Sequence, residues 1–376
     1  MEGVKIKQSR MIQGFKHEVG RHCESSSMRD LFEFYGFPMS EAMAFGLDAT
    51  MGFGYWDQSN MLTGIGSDDS KTPFFVGGKQ GTIDANSLAC RLLGIKLRKQ
   101  SFTSADKAWE ESKKLIDQDT PLILRIDIYY LPYFEFSEVE EGGHFGGHAI
   151  TLAGYDEEKG VAYVGDTEFE EFQEVSIEKL KIGRSSEEGD AFMYPKNTQF
   201  SMEPRPDGKR PPLAAGVKVA IQEVVNNMLR PSMNNVGIQG LKRFANSITG
   251  WDERLKGIAR TTFELTHGYI ETWGTGGASF RNLYKEFLEE LLTNPELKEG
   301  PRAWNKDEFK ILEESIPLIE KSVNNWTLLA NTLKDAADEY KSDCLNHVDL
   351  RELQDIALDI VKYEDDLFTK LKKIKN

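Results

Sequence analysis

The sequence predicts an α+β domain over residues 1–200 followed by an all-α domain over residues 213–376. Three observations predict this. Runs with strand character occur only in the first 200 residues. Helical periodicity is almost unbroken after residue 213. Between them, residues 201–212 (SMEPRPDGKRPP) hold four of the 13 prolines and form the expected linker.

Taken in order, residues 23–35 read as an amphipathic helix, with Met28, Leu31, Phe32 and Tyr35 at i, i+3, i+4 and i+7. Gly36 follows as the residue that ends it. Residues 40–66, rich in glycine and aromatics, read as loop and short strand. Residues 84–93 make a short helix with Leu88, Leu92 and Leu93 on one face, and residues 104–117 another, opening on Ser104 as N-cap. PLILRIDIYYL is a buried strand. HAITLAGYD and GVAYVGD are two strands joined by the turn DEEKG, an antiparallel hairpin. Ser176 caps a further short helix. In the second domain the helical spans are 214–229, 235–247, 252–272, 279–293, 306–334 and 348–374.

Composition narrows the function. Of 376 residues, 39 % are hydrophobic and 28 % charged, which sets aside disorder and low complexity. The opening MEGVKIKQSRM has no apolar run of signal-peptide length. Nor is there a run of roughly 20 apolar residues of the kind that spans a bilayer. The three cysteines, Cys23, Cys90 and Cys344, are too few and too far apart for a disulfide framework or a Cys-pair zinc site. The expectation is a cytoplasmic protein without membrane contact. A net charge of −15 argues against nucleic acid as a partner. Residues 1–200 hold most of this charge, with 21 basic against 33 acidic side chains.

Cys23 stands in GRHCESSS, directly before the first amphipathic helix. Unpaired N–H groups and the positive end of the macrodipole favour a thiolate there. The Cys23 backbone N–H is placed to donate to an oxyanion, and Arg21 and His22 add positive potential. Free cysteine is also often a small buried hydrophobe, so position alone leaves both readings open. His148 opens a strand after two glycines, and Asp166 ends the partner strand of the same hairpin. The start of one strand lies beside the end of the next, so the two are expected as base and orienting carboxylate. Asp166 starting a turn is the plainer alternative. The six histidines are 17, 22, 144, 148, 267 and 347. His144, in an acidic Gly-rich loop, is the rival base, and a metal site on His144 and His148 is disfavoured by their spacing.

Certain stretches also carry a resemblance. HCESSSMRDLFEFYG, SEAMAFGL and GFGY resemble the N-terminal domain of the butirosin biosynthesis protein H family. WGTGGASFRNLYKEFL resembles the helical domain of unknown function that often follows it. The resemblance implies a papain-like cysteine protease fold for the first domain, close to the double-glycine leader peptidases. It also implies an acyl-enzyme mechanism, with Cys23 as nucleophile, His148 as base and acid, and Asp166 as orienting residue. The acyl donor it implies is a thioester on the phosphopantetheine of an acyl carrier protein, and the acceptor an amine. No resident cofactor or metal is expected. The leader peptidases place an oxyanion-hole Gln six residues before the cysteine. His17 stands there in this chain and the nearest Gln is Gln13, so both are oxyanion candidates.

Two acidic runs, 135–141 (EFSEVEE) and 168–174 (EFEEFQE), flank His148 and Asp166. Glu168 and Glu170 are therefore expected to attract a small cationic amine, against the plain reading of a solvated loop. Lys96, Arg98 and Lys99 form the one compact basic cluster of the first domain, a candidate docking patch for an acidic carrier protein. In WGTGGASFR, Gly274, Gly276 and Gly277 predict a tight interhelical turn. A sharper reading sets Arg281 on a substrate anion. Three functions fit these residues: an acyltransferase, a cysteine amidohydrolase or peptidase, and a non-catalytic binding protein on the same scaffold.

Overall fold

The computed structural model describes residues 9–57, 73–134 and 143–375. The chain divides into two compact units, one mixed α/β and one largely helical. In the first, strands β1 (Ser9–Met11), β4 (Ile95–Gln100), β5 (Leu122–Ile126), β6 (His148–Asp156), β7 (Val161–Gly165), β8 (Gln173–Ser176) and β9 (Gln199–Pro204) form one sheet. Its order is β4-β9-β5-β6-β7-β8, with β1 alongside β6, and every pairing is antiparallel. The predicted hairpin is present: β6 and β7 pair from Asp156↔Val161 to Thr151↔Gly165, which leaves Asp166 just beyond the ladder.

Helix α1 (Cys23–Phe34) packs on β5 and β6 through Met28, Leu31 and Phe32, all buried. It ends where Gly36 takes a left-handed φ of 85°. Helices α4 (Ala105–Asp117) and α5 (Ile177–Arg184) start on the expected caps, Ser104 and Ser176, whose side chains accept from Lys107 N and Lys179 N.

Three features differ from the sequence reading. Residues 201–204, expected in the linker, complete β9 between β4 and β5, and the units divide between Lys209 and Arg210. The prolines of 201–212 mark the end of that strand rather than its absence. IKLRKQ, read as a basic cluster, is β4, with Ile95 and Leu97 inward and Lys96 and Arg98 outward. The 84–93 helix is shorter than expected, α3 (Leu88–Leu92), capped by Ser87.

The helical unit also takes in residues 42–57 and 73–82. There α2 (Glu41–Asp48), which the glycine and aromatic content had masked, precedes a hairpin of β2 (Met51–Asp57) and β3 (Phe74–Lys79). The hairpin joins a core of Phe53, Tyr55, Phe74, Phe244, Trp251 and Trp326, with ring centroids 5.2–6.3 Å apart. Its helices are α6 (Leu213–Leu229), α7 (Gly237–Ser247), the short α8 (Trp251–Arg254), α9 (Ala259–His267), α10 (Arg281–Thr293), α11 (Lys306–Tyr340) and α12 (Leu350–Leu371). Among the described residues, no helix is long and apolar enough to cross a membrane.

Candidate active site

Cys23 is the first residue of α1, after the N-cap His22, whose Nδ1 accepts from Ser25 N at 3.1 Å. The buried Glu41 carboxylate accepts the Arg21 and His22 backbone N–H groups and the Ser25 hydroxyl, each at 2.9 Å. The turn that presents the thiol is thereby fixed on both sides. Of the three free cysteines, Cys23 is partly exposed, whereas Cys90 and Cys344 are buried.

His148 is the first residue of β6, and its Nε2 lies 2.9 Å from both carboxylate oxygens of Asp166. Cys23 is close enough to the same ring to act on it electrostatically. With Nε2 committed to Asp166, Nδ1 is the nitrogen left for the thiol. Burial opposes the imidazolium, but the charge and hydrogen bond of Asp166, then those of Cys23, outweigh it and raise the His148 pKa to about 10. Asp166 is itself held by Thr167 N (2.7 Å), Thr167 Oγ1 (3.0 Å) and Tyr133 Oη (2.9 Å). Burial, and then the charge of Asp166, push the Tyr133 phenol far up, so it stays a donor.

An aromatic shell not anticipated from sequence surrounds this pair. Phe134 stands edge-on to His148 with centroids 5.8 Å apart, and Phe169 contacts both Tyr133 (4.9 Å) and Phe134 (5.7 Å). The only sequence signal was the aromatic content of YYLPYF and FEEF.

His17 does not serve as the expected oxyanion donor. Its Nδ1 lies 2.6 Å from Asp30 Oδ2, and its Nε2 lies 3.0 Å from the carbonyls of Asp166 and Phe169. All of these partners accept, so both nitrogens carry protons. Burial opposes that charge, but Asp30 and then the two carbonyls raise the His17 pKa. His17 ties the 166–169 turn to α1. Gly165 makes room for it: a Cβ there would lie 2.7 Å from the His17 ring. Gln13 is on an exposed turn after β1, with no bond to the site among the described residues.

Glu168 and Glu170 are exposed on the turn just past Asp166, while the run 135–141 lies outside the described residues. The rival base His144 has a separate carboxylate, with Nδ1 2.8 Å from buried Asp127 and its ring 4.3 Å from Tyr129. In the basic cluster, Arg98 pairs with Glu203, and Lys99 lies 3.1 Å from Asp84. Arg281 corrects the anion-binding expectation. It is fully buried, with Nε and Nη2 on the Glu364 carboxylate at 2.8 and 2.9 Å and Nη1 on Ser279 O at 2.7 Å. No face of the guanidinium is left for a ligand. The preceding segment is the expected tight turn, with Gly274, Gly276, Gly277, Ala278, Ser279 and Phe280 all at positive φ. Among the described residues, no group of three or more His, Cys, Asp or Glu side chains is placed to hold a metal ion.

A partly exposed thiol at a helix start, near an imidazole that rests on a buried carboxylate, is a Cys–His–Asp arrangement on an antiparallel sheet. The chain belongs to the butirosin biosynthesis protein H family. The family description "Butirosin biosynthesis protein H, N-terminal" matches residues 22–167, and "Domain of unknown function (DUF4872)" matches residues 178–371. The first match spans Cys23, His148 and Asp166. No curated protein matches the chain.

Proposed function

We propose that this protein is a biosynthetic cysteine acyltransferase with a papain-like catalytic unit. The observation that carries this is the His148 ring, hydrogen-bonded to Asp166 and within electrostatic reach of Cys23 at the start of α1. The donor is an acyl thioester, presented on the phosphopantetheine of an acyl carrier protein. The acceptor is a small cationic amine, which the exposed Glu168 and Glu170 attract. The −15 net charge disfavours nucleic acid as an alternative partner. A reducing cytoplasm suits a chain with three free cysteines.

In the proposed cycle, the Cys23 thiolate attacks the thioester carbonyl carbon, and the carbonyl electron pair moves to oxygen, opposite the Cys23 backbone N–H. Collapse breaks the bond to the pantetheine sulfur, which leaves with the His148 proton. Cys23 then carries the acyl group as a new thioester, and His148 is neutral. The acceptor's neutral amine attacks that carbonyl while His148 takes its N–H proton. Collapse releases the amide and restores the thiolate–imidazolium pair. Water in place of the amine would make the same site a hydrolase.

Intact-protein mass spectrometry after incubation with acyl-pantetheine thioesters tests this. Wild type is expected to gain one acyl mass that Cys23→Ala does not, and an added amine is expected to discharge it faster than water. No adduct from any donor would refute an acyl-enzyme, and discharge by water alone would leave the amidohydrolase reading.

A further inference from the structure

Glu24, immediately after Cys23, is buried inside the first turn of α1. Its Oε1 accepts from Arg125 Nη2 at 2.7 Å and from Ile83 N at 2.9 Å. Arg125 lies on β5 opposite Ala149 of β6 and is buried as well. Its other terminal nitrogen, Nη1, donates to the carbonyl of Gly147 at 3.3 Å. Gly147 is the residue before His148. One planar guanidinium therefore joins the residue that follows the thiol to the residue that precedes the imidazole.

This linkage is rigid for physical reasons. A guanidinium presents its N–H groups in a fixed fork, so contact with two acceptors at once sets the distance between them. The ion pair is removed from water, where a misplaced partner is costly. The Ile83 N–H fixes the Glu24 end, and the β5–β6 ladder, with Ile126 opposite His148, fixes the Arg125 end. The chemistry depends on that spacing, since an error of about 1 Å between reacting groups can cost about 100-fold in rate.

We infer that Glu24 and Arg125 are a positioning pair that sets the separation of the Cys23 thiol and the His148 ring. The inference rests on the Cys23–His148 reading above but not on the identity of the acyl donor. Neither side chain touches the reacting atoms, so each acts through the backbone it holds.

The test is the rate of Cys23 alkylation by iodoacetamide across pH, in wild type, His148→Ala, Arg125→Lys and Glu24→Gln. Arg125→Lys keeps the charge but has a single nitrogen for two acceptors. Glu24→Gln keeps the shape and the Ile83 bond without the charge. With secondary structure unchanged, each is expected to slow alkylation at about pH 6 by about tenfold or more and to shift its pH profile towards that of His148→Ala. A purely structural pair would lower stability and leave that profile alone. If wild type depends on His148 while both folded variants match wild type, the positioning role is overturned. If His148→Ala leaves wild-type alkylation unchanged, the Cys23–His148 pair fails and the positioning role with it.

Discussion

Asp166→Asn is expected to lower acyl-transfer turnover by about 100- to 10,000-fold while the protein stays folded. The carboxylate accepts from His148 Nε2, Thr167 N, Thr167 Oγ1 and Tyr133 Oη, and all four groups point at it as donors. A carboxamide has an acceptor at one end and an NH2 donor at the other. Whichever way it turns, one end sets a donor against donors. It also removes the negative charge that most favours the imidazolium, so the His148 pKa falls from about 10 towards its ordinary 6.5. In the proposed cycle this weakens both the partner of the thiolate and the tautomer needed for the second half-reaction. Turnover of a thioester and amine pair, with a circular dichroism spectrum as the folding control, checks this. A folded variant within about threefold of wild type would show that Asp166 does not orient the base.

In the helical unit, Arg281→Met is expected to cost about 3–5 kcal/mol of stability. Glu364 is fully buried, and the two Arg281 bonds are its only link to a cation among the described residues. Ser322 Oγ at 2.8 Å and Trp326 Nε1 at 3.0 Å also donate to it but are neutral. Removing the guanidinium leaves a carboxylate in the core with two dipolar partners, and desolvation then dominates. Arg281 also bonds Ser279 O, next to three successive non-glycine residues at positive φ, Ala278, Ser279 and Phe280. Holding that backbone is a second reason for a large effect. Replacing both partners, Arg281→Met with Glu364→Leu, is expected to recover most of the loss, because no charge is then stranded. Urea denaturation of the three proteins checks this. A loss under about 1 kcal/mol in Arg281→Met would mean that Glu364 finds another partner.

Features encoded in contiguous sequence were legible before the structure. The His22–Cys23 helix start, the caps Ser104 and Ser176, and the hairpin carrying His148 and Asp166 depend on spacing over a few residues. Those same local rules set His148 beside Asp166. Non-local partners leave no such mark. Nothing periodic announces that Arg125 reaches Glu24, that Glu41 seals the turn before Cys23, or that β9 inserts between β4 and β5. Residues 42–57 and 73–82 count with the helical unit although the proline-rich break comes much later. His17 shows how spacing alone misleads. It stands at the position where the resemblance leads us to expect an oxyanion donor, yet Asp30 and two carbonyls claim both of its nitrogens. Arg281 shows the converse, a charged residue beside a glycine-rich turn whose partner, Glu364, is a core carboxylate.

The most direct test of the central claim is the pH dependence of Cys23 alkylation in wild type and His148→Ala. The His148 pKa is raised from 6.5 to about 10, so the imidazolium persists across neutral pH and loses its proton only as pH rises through about 10. What the pair contributes to stability is therefore fully present below about pH 6.5 and lost through about pH 10. Wild type is expected to alkylate at Cys23 about tenfold or more faster than His148→Ala at about pH 6, with the difference shrinking as pH rises. If both proteins instead follow one free-thiol curve, Cys23 and His148 do not act as a pair, and the acyl-enzyme account loses its base.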